Sequence, residues 1–107
     1  MTGRAALIWC PFSDEDSAKK ATAQLLEERL IACANIVPAI QSAFVWHGVT
    51  DTGEEVGALF KTTSARMDEA MTRLDAIHPY EQPAITGWTV RASPSTLAWL
   101  EAETREG

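Results

Sequence analysis

The chain predicts an α+β domain of the ferredoxin-like, split βαβ kind: strand, helix, strand, strand, helix, strand (βαββαβ), with a helix appended at the C-terminal end. Three observations carry that prediction. Apolar residues recur at three- and four-residue steps in two segments, Ala18 to Leu30 and Met67 to Ile77. Short extended apolar runs lie before, between and after those segments. Finally, His78-Pro79-Tyr80-Glu81-Gln82-Pro83 sets two prolines four residues apart around an imidazole, a phenol and a carboxylate, without a glycine to loosen them. A residue before proline is pushed out of the helical region, so His78 and Gln82 are expected to be extended, closing one helix and opening one strand.

Arg4 to Cys10, with Ile8 and Trp9, reads as a first strand buried on both faces and stopped by Pro11. Ser13 before an acidic turn is the expected N-cap of the first helix, whose apolar stripe is Ala18, Ala21, Leu25, Leu26 and Leu30. Ala32 to Gly48 is extended, with Ile36, Ile40, Phe44 and Trp46 on one face and Val37 and Val45 on the other. Strands average five or six residues, so a run this long must bend or break, and Pro38 is the place. Thr50-Asp51-Thr52-Gly53 supplies turn chemistry, and Glu54 to Thr63 returns as the third strand. The hairpin is long enough that Phe44, Val45 and Trp46 are exposed if it projects, and oligomerisation is one way to cover them; curling back over the sheet is the other.

Ser64 is the expected cap of the second helix, with Met67, Ala70, Met71, Leu74 and Ile77 as its buried stripe. Pro83 to Arg91 reads as the fourth strand. Ser93-Pro94 offers an N-cap with proline at the first helical position, leading into Leu97, Trp99 and Leu100, and Glu103 to Gly107 is expected to fray. The four tryptophans, Trp9, Trp46, Trp88 and Trp99, read as core and interface mass.

Composition bounds the function. A chain of 107 residues is one domain, 1–107, and 46% hydrophobic with 22% charged residues sets aside disordered and fibrous classes. Nine Lys and Arg against fifteen Asp and Glu give a net charge of -6, which argues against nucleic acid and anionic membrane as partners. No signal peptide or membrane span is read, so the expected address is cytoplasmic, where Cys10 and Cys33 are free thiols. Gly-rich phosphate loops, His-Glu-x-x-His, Cys-x-x-Cys and nucleophile elbows are all absent, and no enzyme activity is assigned.

Five blocks in order resemble the motif set of CutA-type divalent-cation tolerance proteins. They are Leu30-Ile31-Ala32-Cys33-Ala34-Asn35-Ile36-Val37-Pro38, Ser42-Ala43-Phe44-Val45-Trp46-His47-Gly48, Glu54-Glu55, Lys61-Thr62-Thr63 and His78-Pro79-Tyr80-Glu81-Gln82-Pro83. The resemblance implies a homotrimer similar in plan to PII-type signalling proteins and a link to Cu(II) or another divalent cation that folding does not require; the projecting hairpin makes Phe44, Val45 and Trp46 the expected trimer interface. It places a copper site at Cys10 and His78. Ile77 stands where some members have a second histidine, which removes one candidate ligand; Phe44 and Leu97 stand where tyrosine is common, and Ala84 replaces a frequent glutamate.

Topology alone puts Cys10 and His78 at one end of the sheet and Cys33 at the other. A thiolate and an imidazole suit copper or zinc, but three or four ligands are needed, so Glu81 or a neighbouring copy must contribute. The competing roles are structural: His78 satisfying the carbonyls of a helix end, and Cys10 filling the core. His47 reads as a solvated hairpin residue, and Asp51, Glu54 and Glu55 as a solvated charged edge. The alternative to a metal site is a small-ligand or protein-interaction cleft lined by Lys61, Tyr80 and Glu81; a trimer that merely anchors another protein is a third possibility.

Overall fold

The computed structural model describes residues 3–106. The elements are β1 (Ala5–Phe12), α1 (Glu15–Glu27), β2 (Cys33–Trp46), β3 (Val49–Thr63), α2 (Ser64–Ile77), β4 (Thr86–Val90) and α3 (Pro94–Glu103). The strands form one sheet in the order β2-β3-β1-β4, with every neighbouring pair antiparallel. This is the ferredoxin-like arrangement with one added helix.

Register explains where the core sits. Residues directly opposite share a face of a sheet. Ile8 pairs with Phe60, Cys10 with Ala58 and Phe12 with Val56, while Ala34 and Ile36 of β2 face Phe60 and Ala58. That face packs against Ala18, Ala21 and Leu25 of α1 and Ala70 and Leu74 of α2. Met67, Met71 and Ile77 close the margin of the same cluster. Fully burying a side chain such as Phe12, Phe60 or Ile8 contributes roughly 1.5–3 kcal/mol each. The opposite face, carrying Leu7, Trp9 and Pro11, is only half buried, so β1 is not enclosed on both sides as expected. Of the four tryptophans none is in the core: Trp9 is half buried, with its ring across Gly57, and Trp46, Trp88 and Trp99 are exposed.

Several expected boundaries move, each for a local reason. β1 continues through Pro11 to Phe12, because β4 pairs with β1 only as far as Trp9 and an edge position tolerates proline. The cap of α1 is Asp14 rather than Ser13: its carboxylate accepts the backbone N–H of Ser17 at 2.7 Å. Leu26, expected in the buried stripe, is exposed. Ser64 is the first residue of α2 rather than its cap, and its hydroxyl instead accepts the backbone N–H of Arg4. β4 is shorter than Pro83 to Arg91, and its start at Thr86 leaves the double-proline connector outside the sheet. Ser93 caps α3 as expected, with Pro94 next. The C-terminal residues pack instead of fraying, since Thr104 is buried and bonds to the Leu100 carbonyl at 2.7 Å, and Glu106 meets Arg66 at 3.1 Å. Gly107 lies outside the described residues.

The hairpin differs most. Its turn is His47-Gly48, not Thr50 to Gly53: both residues have positive φ (50° and 79°), as a two-residue turn with the right-handed strand twist demands. Thr50 to Gly53 pair across the ladder with Ser42 to Val45. Pro38 does mark a break, where the register steps from Val37 opposite Gly57 to Ile40 opposite Glu55. One extra residue in β2 is a β-bulge, and Ala39 takes the left-handed conformation there (φ 57°). A one-residue insertion exchanges the faces. Ile36 therefore belongs to the core face, whereas Ile40, Phe44 and Trp46 lie on the face of Glu55, Gly57 and Trp9. The outer hairpin projects from the body and lengthens the molecule, whose overall extents are 46 × 24 × 22 Å.

Candidate functional site

The ends of β1 and α2 and the two-proline connector converge on the backbone of Pro11. α2 stops at His78, which is extended (φ -67°, ψ 138°) because Pro79 follows. Its ring stacks on Phe12, with centroids 4.2 Å apart and planes 16° from parallel. The backbone N–H of Tyr80 donates to Nδ1 at 3.0 Å, which leaves the proton on Nε2 to donate to the Pro11 carbonyl at 2.9 Å. The ring is thus saturated as a neutral imidazole, and burial lowers its pKa.

Cys10 points into the core. Its thiol is buried, lies 3.6 Å from the same Pro11 carbonyl, and is pushed up to about 12 by burial and then by the charge of Glu55. Cys10 and His78 do share one end of the sheet, as topology predicts, and Cys33 lies at the other, opposite Lys61. Both cysteines are free thiols.

Tyr80 leads away from this buried knot to the surface. Its hydroxyl donates to Glu55 Oε2 at 2.7 Å, and burial together with that carboxylate raises the phenol's pKa above its ordinary value. Tyr80 and Glu55 stand in the wall of a cleft of about 600 Å³ that Phe44, Trp46, Glu81 and Gln82 complete. Connector and outer hairpin form its two sides. Phe44, Val45 and Trp46 are 43%, 67% and 43% exposed.

The sequence-predicted residues thus divide. Tyr80 and Glu81 line the cleft, but Lys61 does not: it pairs with Leu7 and Cys33, four residues along β1 from Pro11, or about 13 Å away at strand rise. Glu55, expected on a solvated edge, is a half-buried wall residue held by Tyr80. Phe12 and the Pro11 carbonyl, which orient His78, were not singled out by sequence. Pro11 and Phe12 themselves were the available signal, since an aromatic and a proline close β1 where the connector must land.

A divalent cation fits this arrangement poorly within one chain. Among the described residues no group of three or more His, Cys, Asp or Glu side chains is placed to hold a metal. Cys10 keeps its proton in the core and both nitrogens of His78 are engaged, whereas a metal needs a thiolate and an open imidazole nitrogen. Also among the described residues, no helix is long and apolar enough to cross a membrane.

A ferredoxin-like α+β domain with a double-length β2–β3 hairpin and an acidic, aromatic cleft beside its α2–β4 connector defines the class of the protein. The family model described as CutA1 divalent ion tolerance protein matches residues 6–103, and the chain belongs to that family. It is 37% identical over 101 residues to the divalent-cation tolerance protein CutA of Pyrococcus horikoshii, covering 94% of this chain and 98% of that one. The crystal structure of divalent ion tolerance protein CutA1 from Ehrlichia chaffeensis superposes with a TM-score of 0.91 at 30% identity, covering 99% of this chain and 100% of that chain. A CutA structure from Archaeoglobus fulgidus, described as a periplasmic divalent cation tolerance protein, gives a TM-score of 0.88 at 28% identity over 94% and 99% of the two chains.

Proposed function

We propose that the chain works in the cytoplasm as a homotrimeric, non-enzymatic cation-tolerance module whose recognition site is the cleft between connector and outer hairpin. One observation carries this reading: the cleft is the place where the connector's polar groups, Tyr80 and Glu81, meet the hairpin's unburied rings, Phe44 and Trp46. A second copy seated on the outer side of the hairpin closes the open side of the cleft, which couples assembly to recognition. The net charge of -6 accords with a cationic target rather than nucleic acid or an anionic surface. A thermal-shift screen of small ligands on the assembled protein tests the reading. Stabilising ligands are expected to lose their effect in Tyr80→Phe and Glu81→Gln; hits indifferent to both substitutions place recognition elsewhere.

The second reading is a Cu(II) or other soft-cation site at Cys10, His78 and Glu81, with further ligands from a neighbouring copy. The meeting of the Cys10 thiol and the His78 ring at the Pro11 carbonyl favours it. It requires the Tyr80 N–H to leave Nδ1 and Cys10 to lose its proton, so binding is expected to be slow and to strengthen with pH. Calorimetric Cu(II) titration decides: saturable binding abolished in both Cys10→Ser and His78→Gln supports the site, and unchanged stoichiometry in both rejects those ligands.

A further inference from the structure

We propose that the ligand of this cleft is a small organic cation, an ammonium group on an aromatic or alkyl body. This inference rests on the cleft being the recognition site and adds the chemical class of what enters it. Among the described residues, the side chains that line the cleft include two carboxylates, Glu55 and Glu81, and three aromatic rings, Phe44, Trp46 and Tyr80, but no lysine, arginine or histidine. An anionic metabolite therefore finds no countercharge there, and Lys61, the one cation expected from sequence, lies at the far end of β1. For a cation the same walls are complementary. Ring faces attract an ammonium through their quadrupoles and cover its apolar body, and a carboxylate accepts its N–H donors.

Glu55 is already positioned for that role. The Tyr80 hydroxyl holds Oε2 at 2.7 Å, and among the described residues Oε1 accepts no hydrogen bond, so the second oxygen is open to an incoming donor. Orienting the acceptor beforehand removes an ordering cost from binding. Size separates an organic cation from a bare ion. About 600 Å³ falls in the range of small-molecule pockets, whereas a metal ion requires several donors converging within about 2.5 Å, and no such group is found among the described residues.

Three probes sharing one body and differing in charge test the proposal: 2-phenylethylammonium, 2-phenylethanol and 3-phenylpropionate. Each is titrated into the assembled protein while the Trp46 indole N–H resonance is followed, with Glu55→Gln and Glu81→Gln as variants. The ammonium is expected to shift that resonance saturably and to weaken with added salt. Its affinity is expected to fall about tenfold in Glu55→Gln, the loss of a charge-assisted bond, while oligomeric mass and circular dichroism stay unchanged. Equal binding of the neutral alcohol, preference for the carboxylate, or an unchanged affinity in both variants overturns the cationic assignment while leaving the cleft as a site. If no probe of any charge moves Trp46, the cleft reading falls with it. If Zn(II) binds with a sensitivity to Glu55→Gln that the ammonium lacks, the class is a metal ion and the proposal is wrong.

Discussion

The β2–β3 hairpin has two halves that share a ladder and an alternating pattern but have opposite fates. Inside the bulge, Ala34 and Ile36 lie against Phe60 and Ala58 and complete the core. Outside it, Phe44, Val45, Trp46 and Val49 are apolar too and remain 43–67% exposed. Strand propensity cannot account for the difference, because β-branched and aromatic residues populate both halves. What differs is reach: α1 and α2 cover the inner half, and the outer half extends past them. A hairpin standing alone is marginal in water, so under the proposed assembly the outer half is where a second copy adds the most stability.

Breaking the outer half has the largest expected effect. Replacing both Phe44 and Trp46 by Asp puts charge on the surface assigned to neighbouring copies, and light scattering is expected to show single chains that stay folded by circular dichroism. An assembly of unchanged mass contradicts the assignment. In the inner half, Phe12→Ala removes a fully buried ring and the stacking surface of His78, and chemical denaturation is expected to show a loss of roughly 3–5 kcal/mol without dissociation of the native protein.

A smaller effect reads the connector. Burial holds the His78 pKa below the imidazole's ordinary 6.5, so the unfolded chain binds the extra proton first. Stability from this group is present above about pH 6.5 and is lost as pH falls through the folded value. Melting temperatures from about pH 7.5 to about pH 5.5 are expected to fall further in the natural protein than in His78→Gln; parallel curves for the two remove His78 from the account. The smallest effect lies at the joint between the halves. Ala39 sits at φ 57°, where glycine is unstrained, and Ala39→Gly is expected to stabilise by about 1 kcal/mol, with destabilisation showing that the bulge is held by contacts rather than tolerated by the backbone.

The contrast also marks what a linear sequence can carry. Two helical stripes, the Pro38 break and the stop at His78 were legible because each depends on neighbours within a turn or two. Which face Ile36 or Phe44 occupies was not, since the one extra residue at Ala39 exchanges the faces of everything beyond it. The turn was misplaced for a related reason: Thr50 to Gly53 is rich in turn residues, yet the ladder closes at His47-Gly48, where two consecutive left-handed residues fit the twist. At the site, Tyr80 and Glu81 were visible within the connector. Glu55 was not visible as Tyr80's partner, because that contact spans 25 positions and exists only in this register.

The mass of the natural protein in solution, measured by light scattering over a dilution series, tests most directly whether the outer hairpin is an assembly surface. The account predicts three times the mass of one chain, persisting on dilution. A folded single chain at every concentration would contradict it, leaving the outer hairpin without a cover and the cleft open on one side.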